Sequence, residues 1–192
     1  MTIRLALLAS LALVSVGAHA QPVDASIIPE DAPEWQPIAE AIAEAEADGK
    51  VLLLHGYASW CGWCARLDED VYTDDDVQAY LAENFEVTRV NIENVDVIDF
   101  FDYRLPTAWL ASGIGITSTP TTVFVDAEDG EIITRLPGYA DRETFLYALR
   151  YVRERAYENG SFQEFIDGEQ AQATTEADGA TPEATPMVPL VD

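Results

Sequence analysis

Cysteine is nearly absent from this chain: of 192 residues only Cys61 and Cys64 are cysteines, with two residues between them. A disulfide framework needs more cysteines at wider spacing, and so short a loop constrains the unfolded chain little. A structural zinc site needs four ligands, of which the chain beyond residue 20 offers this pair and His55. A c-type haem site needs a histidine where Ala65 stands. We therefore expect no metal and no other cofactor. The cysteine pair is assigned a chemical role rather than a structural one.

Basic side chains are also scarce. Ten basic residues stand against 35 acidic ones, the net charge is −25, and Lys50 is the only lysine. Such a surface repels phosphates, which argues against a nucleic-acid partner and against docking on anionic membranes. We interpret the acidity as a solvated surface suited to a salt-rich setting. The alternative is an acidic patch for one partner.

Long apolar runs are lacking beyond the N-terminus. There Arg4 precedes an apolar run over residues 5–16, and the small-x-small tripeptide Ala18-His19-Ala20 follows. This pattern predicts a signal peptide over residues 1–20 that is cleaved before Gln21. The run is shorter than the about 20 apolar residues of a membrane span, although an uncleaved anchor is the alternative. Export would place the protein in the periplasm or outside the cell, where disulfides persist.

Composition divides the remaining chain into three parts. Residues 21–33 contain three prolines and few helix signals, which indicates a leader. Residues 34–160 alternate between helical and strand-like apolar patterns, so we expect one domain there. Residues 161–192 are acidic and, from residue 168, have almost no large apolar side chains before Met187. Such a segment buries too little surface to offset its ordering entropy, so we predict a disordered tail.

The order of the predicted helices and strands indicates the fold class. An early strand–helix–strand unit, followed by a hairpin and a closing helix, favours an α/β fold with a mixed central sheet and helices on both faces. Residues 93–105 match no pattern. The predicted elements are a helix over 35–49, a strand over 51–54, a helix from the cysteines to 71, a helix capped by Thr73, a strand over 85–92, a short helix over 106–111, strands over 121–125 and 131–136, and a helix capped by Asp141.

The cysteines follow the apolar strand directly, within the motif ASWCGWC over residues 58–64. If Cys61 lies at the first turn of a helix, Cys64 is on the same helix face and the two sulfurs can bond. The helix N-terminus lowers the pKa of the Cys61 thiol, which makes Cys61 the attacking group. Cys64, one turn deeper, is the resolving thiol. The motif therefore predicts a redox-active dithiol, with an inert structural pair as the weaker alternative.

Three segments together resemble the thioredoxin superfamily: the apolar strand 51–54, the motif WCGWC over 60–64, and GITSTPT over 115–121. The resemblance covers about residues 34–159 and implies the thioredoxin fold. It also implies that Pro120 follows a cis peptide bond and faces the dithiol, and that substrate pairs with backbone at Thr119. The chain looks most like the exported, reducing members of the superfamily, which include the C-terminal domain of the transmembrane reductase DsbD.

This resemblance implies a thiol–disulfide oxidoreductase. We expect a monomer that reduces disulfides in exported proteins and is recharged by a membrane or exported electron donor. A disulfide oxidase or isomerase is the near alternative. The alternative from another functional class is a partner-binding module, in which the dithiol only regulates how tightly the partner is bound.

His55 has two interpretations. It stands where thioredoxin places a buried acid that handles the proton of the resolving thiol. With a pKa near neutrality it could take a proton from Cys64. It could equally be a satisfied core histidine at the end of a strand, and the sequence leaves both open.

The four tryptophans are divided between the site and the core. We expect Trp60 to pack beside the dithiol and Trp63 to be an exposed contact for substrates. Trp35 and Trp109 are assigned to the core. Arg66 is expected to pair on the surface with acids such as Asp68 or Glu69.

Overall fold

The computed structural model describes residues 28–179, so the predicted signal peptide, most of the leader and residues 180–192 lie outside it. None of the helices in this range is both long and apolar enough to cross a bilayer. The elements are α1 (Ile38–Asp48), β1 (Val51–Tyr57), α2 (Gly62–Leu67), the π-helical turn (Asp68–Tyr72), α3 (Asp75–Asn84), β2 (Phe85–Asn91), β3 (Val97–Phe100), β4 (Tyr103–Pro106), α4 (Thr107–Gly113), β5 (Thr121–Val125), β6 (Ile132–Pro137), α5 (Arg142–Arg153), the 3₁₀ turn (Ala156–Glu158) and α6 (Phe162–Gly179).

Four strands form the predicted mixed sheet, in the order β2-β1-β5-β6. β1 runs parallel to β2 and antiparallel to β5, which in turn pairs antiparallel with β6. β1 therefore has a neighbour on each edge, and it continues past the predicted end at residue 54 to Tyr57. A strand in this position is buried on both faces, which explains its unbroken apolar run.

Helices cover both faces of the sheet, as predicted. Successive side chains of β1 point to opposite faces. Leu53 belongs to one core, which contains residues of α3, α5 and the π-helical turn. Leu52 and Leu54 belong to the other core, which contains residues of α1 and α4. The thioredoxin fold class is confirmed by this architecture.

Two predicted helix starts have different outcomes. Asp141 caps α5 as predicted, since its carboxylate accepts a hydrogen bond from the Thr144 N–H at 2.9 Å. The predicted cap Thr73 is wrong: its hydroxyl donates to the carbonyl of Glu69, and Asp74 caps α3 instead. The π-helical turn delays the end of the preceding helix, so the first extended residue before α3 is Asp74.

The unassigned residues 93–105 contain a hairpin, in which β3 and β4 form a separate two-stranded sheet. The hairpin buries Phe100 in the core that contains α1 and α4, and leaves Val97 and Tyr103 exposed. The assignment of Trp109 to the core is wrong. Its side chain is 71% exposed, because the buried side of α4 is taken by neighbours such as Leu110.

Trp35 is half-buried and packs edge-on against Tyr72, with ring centroids 4.8 Å apart, in agreement with its core assignment. It precedes α1 rather than belonging to it.

The predicted disorder of residues 161–192 is wrong over α6. Ser161 and Glu164 form a capping box: the Glu164 carboxylate accepts from the Ser161 N–H at 2.8 Å, and Ser161 Oγ accepts from the Glu164 N–H at 3.3 Å. The rings of Phe162 and Phe165 lie 5.3 and 5.5 Å from that of Tyr151 in α5. These two aromatic residues precede the apolar-poor stretch and attach the helix to the domain.

Gly56 of β1 allows a close approach by Ile116, in the segment that leads to Pro120. A methyl group at Gly56 would lie 2.7 Å from Ile116 Cδ1 and 2.8 Å from its Cγ2. We expect Gly56→Ala to lower the free energy of unfolding by about 1–3 kcal/mol, because overpacking displaces the isoleucine. Urea denaturation measures the change.

Gly113→Ala is the matched control, since a Cβ at Gly113 meets nothing within 4 Å. Gly113 is the last residue of α4, so we expect alanine there to be neutral or slightly stabilising. Equal stabilities of the two variants would contradict the packing argument for Gly56.

Candidate active site: a disulfide at the start of a helix

Cys61 and Cys64 form a disulfide where the chain passes from β1 into α2. Cys61 is the N-cap of α2, and its Sγ accepts a hydrogen bond from the N–H of Cys64 at 3.1 Å. The sulfur therefore lies at the positively polarised end of the helix, which favours its thiolate once the disulfide is reduced. Cys61 is 8% exposed and Cys64 is 3% exposed. This geometry suits the predicted roles of attacking and resolving thiol, which stay predictions.

Glu93 holds the turn that precedes Cys61. Its carboxylate accepts from the N–H of Ser59 at 2.8 Å and from its hydroxyl at 2.7 Å. These hydrogen bonds, with one from Trp60, lower the pKa of Glu93 and keep a negative charge beside the motif. The sequence did not reveal this role, because the contact arises only when β1 and β2 end at the same edge of the sheet.

The motif tryptophans are open to solvent. Trp60, expected to pack beside the dithiol, is 70% exposed, so its side chain is not buried against the disulfide. Trp63 is 61% exposed, and its ring lies 5.5 Å from that of Tyr139. The exposure of Trp63 agrees with the expectation, while contact with substrates stays a prediction for both residues.

Arg66 pairs on the surface with a different acid from those expected. Its guanidinium lies 2.8 Å from the carboxylate of Asp70. The two residues are one helical turn apart, the spacing at which side chains on a helix meet. Asp68, one of the expected partners, points into the protein and is buried.

The cis proline lies at the same edge of the sheet as the disulfide. The Thr119–Pro120 peptide bond is cis, as the resemblance implies. The next residue, Thr121, is paired with Gly56 of β1, shortly before Cys61. The pairing of β5 with β1 therefore brings the proline turn and the motif to one edge, while substrate contact at Thr119 and Pro120 stays a prediction.

A buried ion pair lies behind the motif. Arg89 of β2 donates to the carboxylate of Asp68 at 2.8 Å, and both side chains are buried. The guanidinium also lies 4.2 Å from the ring centroid of Tyr57, which packs in one cluster with both cysteines. Burial raises the pKa of Asp68, while Arg89 acts in the opposite direction.

Asp68 could have been found in the sequence. It follows Cys64 by one helical turn, so a charged residue there falls on the buried side of the helix. Its partner Arg89 could not have been found in this way, because only the sheet brings β2 next to the cysteine helix.

Several polar atoms around this pair are buried without a hydrogen-bond partner among residues 28–179: Trp35 Nε1, His55 Nε2, Asp68 Oδ1, and Arg89 Nε and Nη1. Unpaired buried polar groups are costly, and a redox or catalytic role is one reason that proteins keep them. They are not arranged as a metal site, since the described residues contain no cluster of three His, Cys, Asp or Glu that could hold an ion.

Comparison with known proteins identifies the family. Residues 38–153, more than half of the chain, match the family model of the thioredoxin-like domain. The chain belongs to the thioredoxin-like family. Within this thioredoxin-like domain, Cys61 and Cys64 form the disulfide of a C-x-x-C motif.

Individual relatives of this thioredoxin-like domain include much longer proteins. The chain is 31% identical over 139 residues to the thiol:disulfide interchange protein DsbD of Ralstonia nicotianae, which aligns 72% of this chain with 21% of that protein. It is 30% identical over 106 residues to DsbD of Escherichia coli K12, covering 55% of this chain and 17% of that one. The chain thus spans about a fifth of the length of these relatives.

Solved structures share the fold. A thioredoxin-fold protein from Helicobacter pylori has a TM-score of 0.54 and 24% identity, over 68% of this chain and 86% of that one. A thioredoxin from Thermus thermophilus has a TM-score of 0.52 and 28% identity, over 63% and 87%.

His55 in this thioredoxin-like domain is fully buried in β1, next to Arg89 of β2 in the parallel register. Its Nδ1 lies 3.4 Å from the hydroxyl of Tyr72. Burial, and secondarily the charge of Arg89, lower the pKa of His55 well below 6.5. A neutral imidazole with so low a pKa is a weak acceptor for a thiol proton. The low pKa argues against proton transfer by His55, which stays a prediction. His55 is not a satisfied core histidine either, since its Nε2 has no hydrogen-bond partner among the described residues.

The stability of the thioredoxin-like domain should depend on pH through His55. In the unfolded chain His55 takes up a proton near its ordinary pKa of 6.5, whereas the folded protein keeps it neutral to well below that pH. Stability is therefore fully present above 6.5 and falls as the pH drops towards the folded pKa. We expect the free energy of unfolding to fall by up to about 1.4 kcal/mol per pH unit in that window, as measured by urea denaturation.

His55→Leu provides the comparison, because it removes the titrating group and keeps an apolar side chain in β1. The raised pKa of Asp68 acts in the opposite sense above 3.8, and comparing the two proteins cancels its contribution. The variant should lose less stability than the wild type between about pH 6.5 and 5.5. Identical slopes would show that His55 is protonated in the folded protein.

Proposed function

We propose that this protein is an exported thiol–disulfide oxidoreductase that reduces disulfides in extracytoplasmic proteins. The observation that carries the proposal is the hydrogen bond from the Cys64 N–H to Cys61 Sγ at the start of α2. It gives Cys61 the electrostatic environment of an attacking thiolate, at an edge of the sheet that also carries Pro120. The name of the DsbD relatives, thiol:disulfide interchange protein, supports the same chemistry.

Reduction proceeds in two exchange steps. The Cys61 thiolate attacks one sulfur of the substrate disulfide, so that a mixed disulfide forms and the other substrate sulfur leaves as a thiolate, which takes a proton. Cys64 then loses its proton and attacks Cys61 Sγ, which releases the second substrate thiol. Two electrons have moved to the substrate, and the Cys61–Cys64 disulfide remains. The substrate lies beside Thr119 and Pro120, with Trp60 and Trp63 as exposed contacts.

Asp68 is better suited than His55 to accept the proton of Cys64. The Asp68 N–H is hydrogen-bonded to the carbonyl of Cys64, so both side chains project from the same side of the helix. One carboxylate oxygen of Asp68 is bound to Arg89, and the other has no partner among the described residues. Its raised pKa makes this carboxylate a stronger base than an ordinary aspartate.

The charges around the motif support the reducing direction. Oxidising members of the superfamily stabilise the thiolate strongly; DsbA, with a potential of about −120 mV, is the general example. Here Arg66, two residues after Cys64, is paired with Asp70, and the buried Arg89 is paired with Asp68. Glu93 adds negative charge beside the motif. A less stable thiolate makes the disulfide harder to reduce, so the potential should lie near thioredoxin's, about −270 mV.

Export and recharging complete the proposal. The pattern over residues 1–20 supports a signal peptide and a periplasmic or secreted location. A reductase in such a compartment needs a membrane or exported electron donor, because the surroundings are oxidising. The partners are then disulfide-bearing exported proteins and that donor, and we expect the protein to act as a monomer.

Turnover and potential test this function. The reduced protein should reduce a small aromatic disulfide, and Cys61→Ser should abolish the reaction. Cys64→Ser should instead stop at a mixed disulfide on Cys61. Equilibration with glutathione or dithiothreitol buffers should give a potential near −270 mV.

Separate outcomes contradict separate parts of this function. A potential more positive than about −180 mV would replace reduction by oxidation or isomerisation. Absence of turnover in the wild type would favour a partner-binding module with a regulatory dithiol.

Asp68→Asn tests the proton acceptor. The variant should resolve the mixed disulfide roughly 100-fold more slowly, because general-base catalysis by a carboxylate is lost. Stopped-flow mass analysis of the mixed disulfide measures this step alone, over a range of pH. The rate of Asp68→Asn should rise with hydroxide across the whole range, whereas the wild-type rate should level off above the pKa of Asp68.

Two further variants separate proton transfer from structure. Asp70→Asn removes an exposed acid of the same region, which pairs with Arg66, and should leave the resolution rate unchanged. Asp68→Glu keeps the carboxylate and should restore part of the rate. If Asp68→Glu is as slow as Asp68→Asn, the loss comes from the broken pair with Arg89 rather than from the missing base.

A further inference from the structure

Exposed apolar side chains are concentrated in two stretches of the described chain, the cysteine motif and residues 95–109. Elsewhere within the residues whose side chains are described, 28–174, no large apolar side chain is comparably open. The exposed residues are Trp60, Trp63, Val95, Val97, Tyr103 and Trp109, each more than half exposed. Singly exposed apolar residues of no particular function would be scattered over the whole surface. Their restriction to two stretches of the chain therefore indicates an interaction surface.

Hydrogen bonds place the loop after β2 directly beside the motif. The N–H of Ile92 donates to the carbonyl of Tyr57 at 3.0 Å, at the end of β1. Glu93 then accepts both hydrogen bonds of Ser59, the residue before the exposed Trp60. The loop is therefore fixed to the turn that carries the cysteines.

The same loop is fixed to the start of α4 on its other side. The carbonyl of Asn94 accepts from the Ala108 N–H at 3.0 Å, and that of Asp96 accepts from the Thr107 N–H at 2.9 Å. Val95, 74% exposed, lies between these two contacts. The next residue of α4 is the exposed Trp109. We call Val95, Val97 and Trp109 the apolar face; it adjoins the redox motif through this loop, whereas Tyr103 pairs with Phe100 and lies on the other side of the hairpin.

The apolar face lies within acidic surroundings. Residues 93–109 carry four acids, Glu93, Asp96, Asp99 and Asp102, against one base, Arg104. Arg104 is itself paired with Asp99 at 3.2 Å. An occupant must therefore offer apolar side chains together with positive charge. A second copy of this chain, at a net charge of −25, and an anionic membrane both fail this requirement.

We propose that the apolar face docks a segment of the substrate polypeptide that carries apolar and basic side chains close to its disulfide. The proposal rests on the proposed reductase function and assigns its substrate selectivity to residues 95–109. Docking there holds the substrate cysteine near Cys61 without altering the exchange steps. Acidic or purely polar substrates then gain nothing from this face, and neither does a small disulfide reagent.

Competing peptide substrates test the proposal. Two synthetic peptides share one disulfide and apolar flanks; one carries lysines beside the flanks and the other carries glutamates. The wild type should reduce the lysine peptide on the order of tenfold more efficiently than the glutamate peptide, by kcat/KM at low salt. In Trp109→Ser, the kcat/KM for the lysine peptide, relative to that for a small aromatic disulfide, should fall on the order of tenfold.

A charge pair of variants supplies the matched comparison. Asp99→Lys reverses an exposed acid on the same side of the hairpin as Val97 and should lower the preference for the lysine peptide. Glu83→Lys makes the same change on an exposed position of α3, which packs on the opposite side of the sheet, and should leave the preference unchanged. Both proteins carry the same net charge, so an equal effect of the two would reduce the preference to overall charge and overturn the proposal.

The remaining outcomes distinguish this proposal from the proposed function. If the wild type reduces the small disulfide but treats both peptides alike, the docking proposal fails and the reductase function stands. If it reduces no disulfide at all, the function fails. Sedimentation gives the last outcome: a dimer that Trp109→Ser converts to a monomer would make the face a contact between copies and overturn the proposal.

Discussion

The placement of β1 is the constraint on which the rest of the structure depends. It pairs with β2 on one edge and β5 on the other, and its two faces contact two separate cores. A strand that is paired on both edges and buried on both faces has its register strongly specified. The chain that leaves it reaches Cys61 in a fixed orientation, and β5 brings Pro120 to the same edge. The geometry of the disulfide therefore depends on a strand that is buried from Leu52 to Tyr57.

A cluster of polar groups interrupts this otherwise apolar arrangement. Asp68, Arg89 and His55 lie where apolar residues would pack, and several of their atoms have no partner among the described residues. Burying charged groups costs free energy even when they are paired. This cost is concentrated next to the cysteines, where the exchange proposed above requires a proton to leave Cys64. A dry apolar core would be more stable but would offer that proton no acceptor.

Charge and apolar exposure have separate distributions over the molecule. The excess of acids gives the chain a net charge of −25, so identical chains repel one another. Among residues 28–174, whose side chains the structure describes, the large apolar side chains that are more than half exposed lie in the motif and in residues 95–109. The hairpin of β3 and β4 makes this possible, because it buries Phe100 and leaves Val97 and Tyr103 in solvent. Exposed apolar side chains together with acidic charge therefore mark the side of the redox site that is formed by residues 95–109.

Local patterns in the sequence determined much of this protein. The apolar run of β1, the cysteine spacing, the Asp141 cap and the order of elements depend on neighbours within a few residues, so they could be predicted and most were confirmed. Only the tertiary structure decided the pair between Asp68 and Arg89, the role of Glu93, the exposure of Trp109 and the attachment of α6 to Tyr151. Each of these depends on residues far apart in the chain. A residue's spacing specifies which face of a helix or strand it occupies, but what that face meets depends on how the whole chain packs.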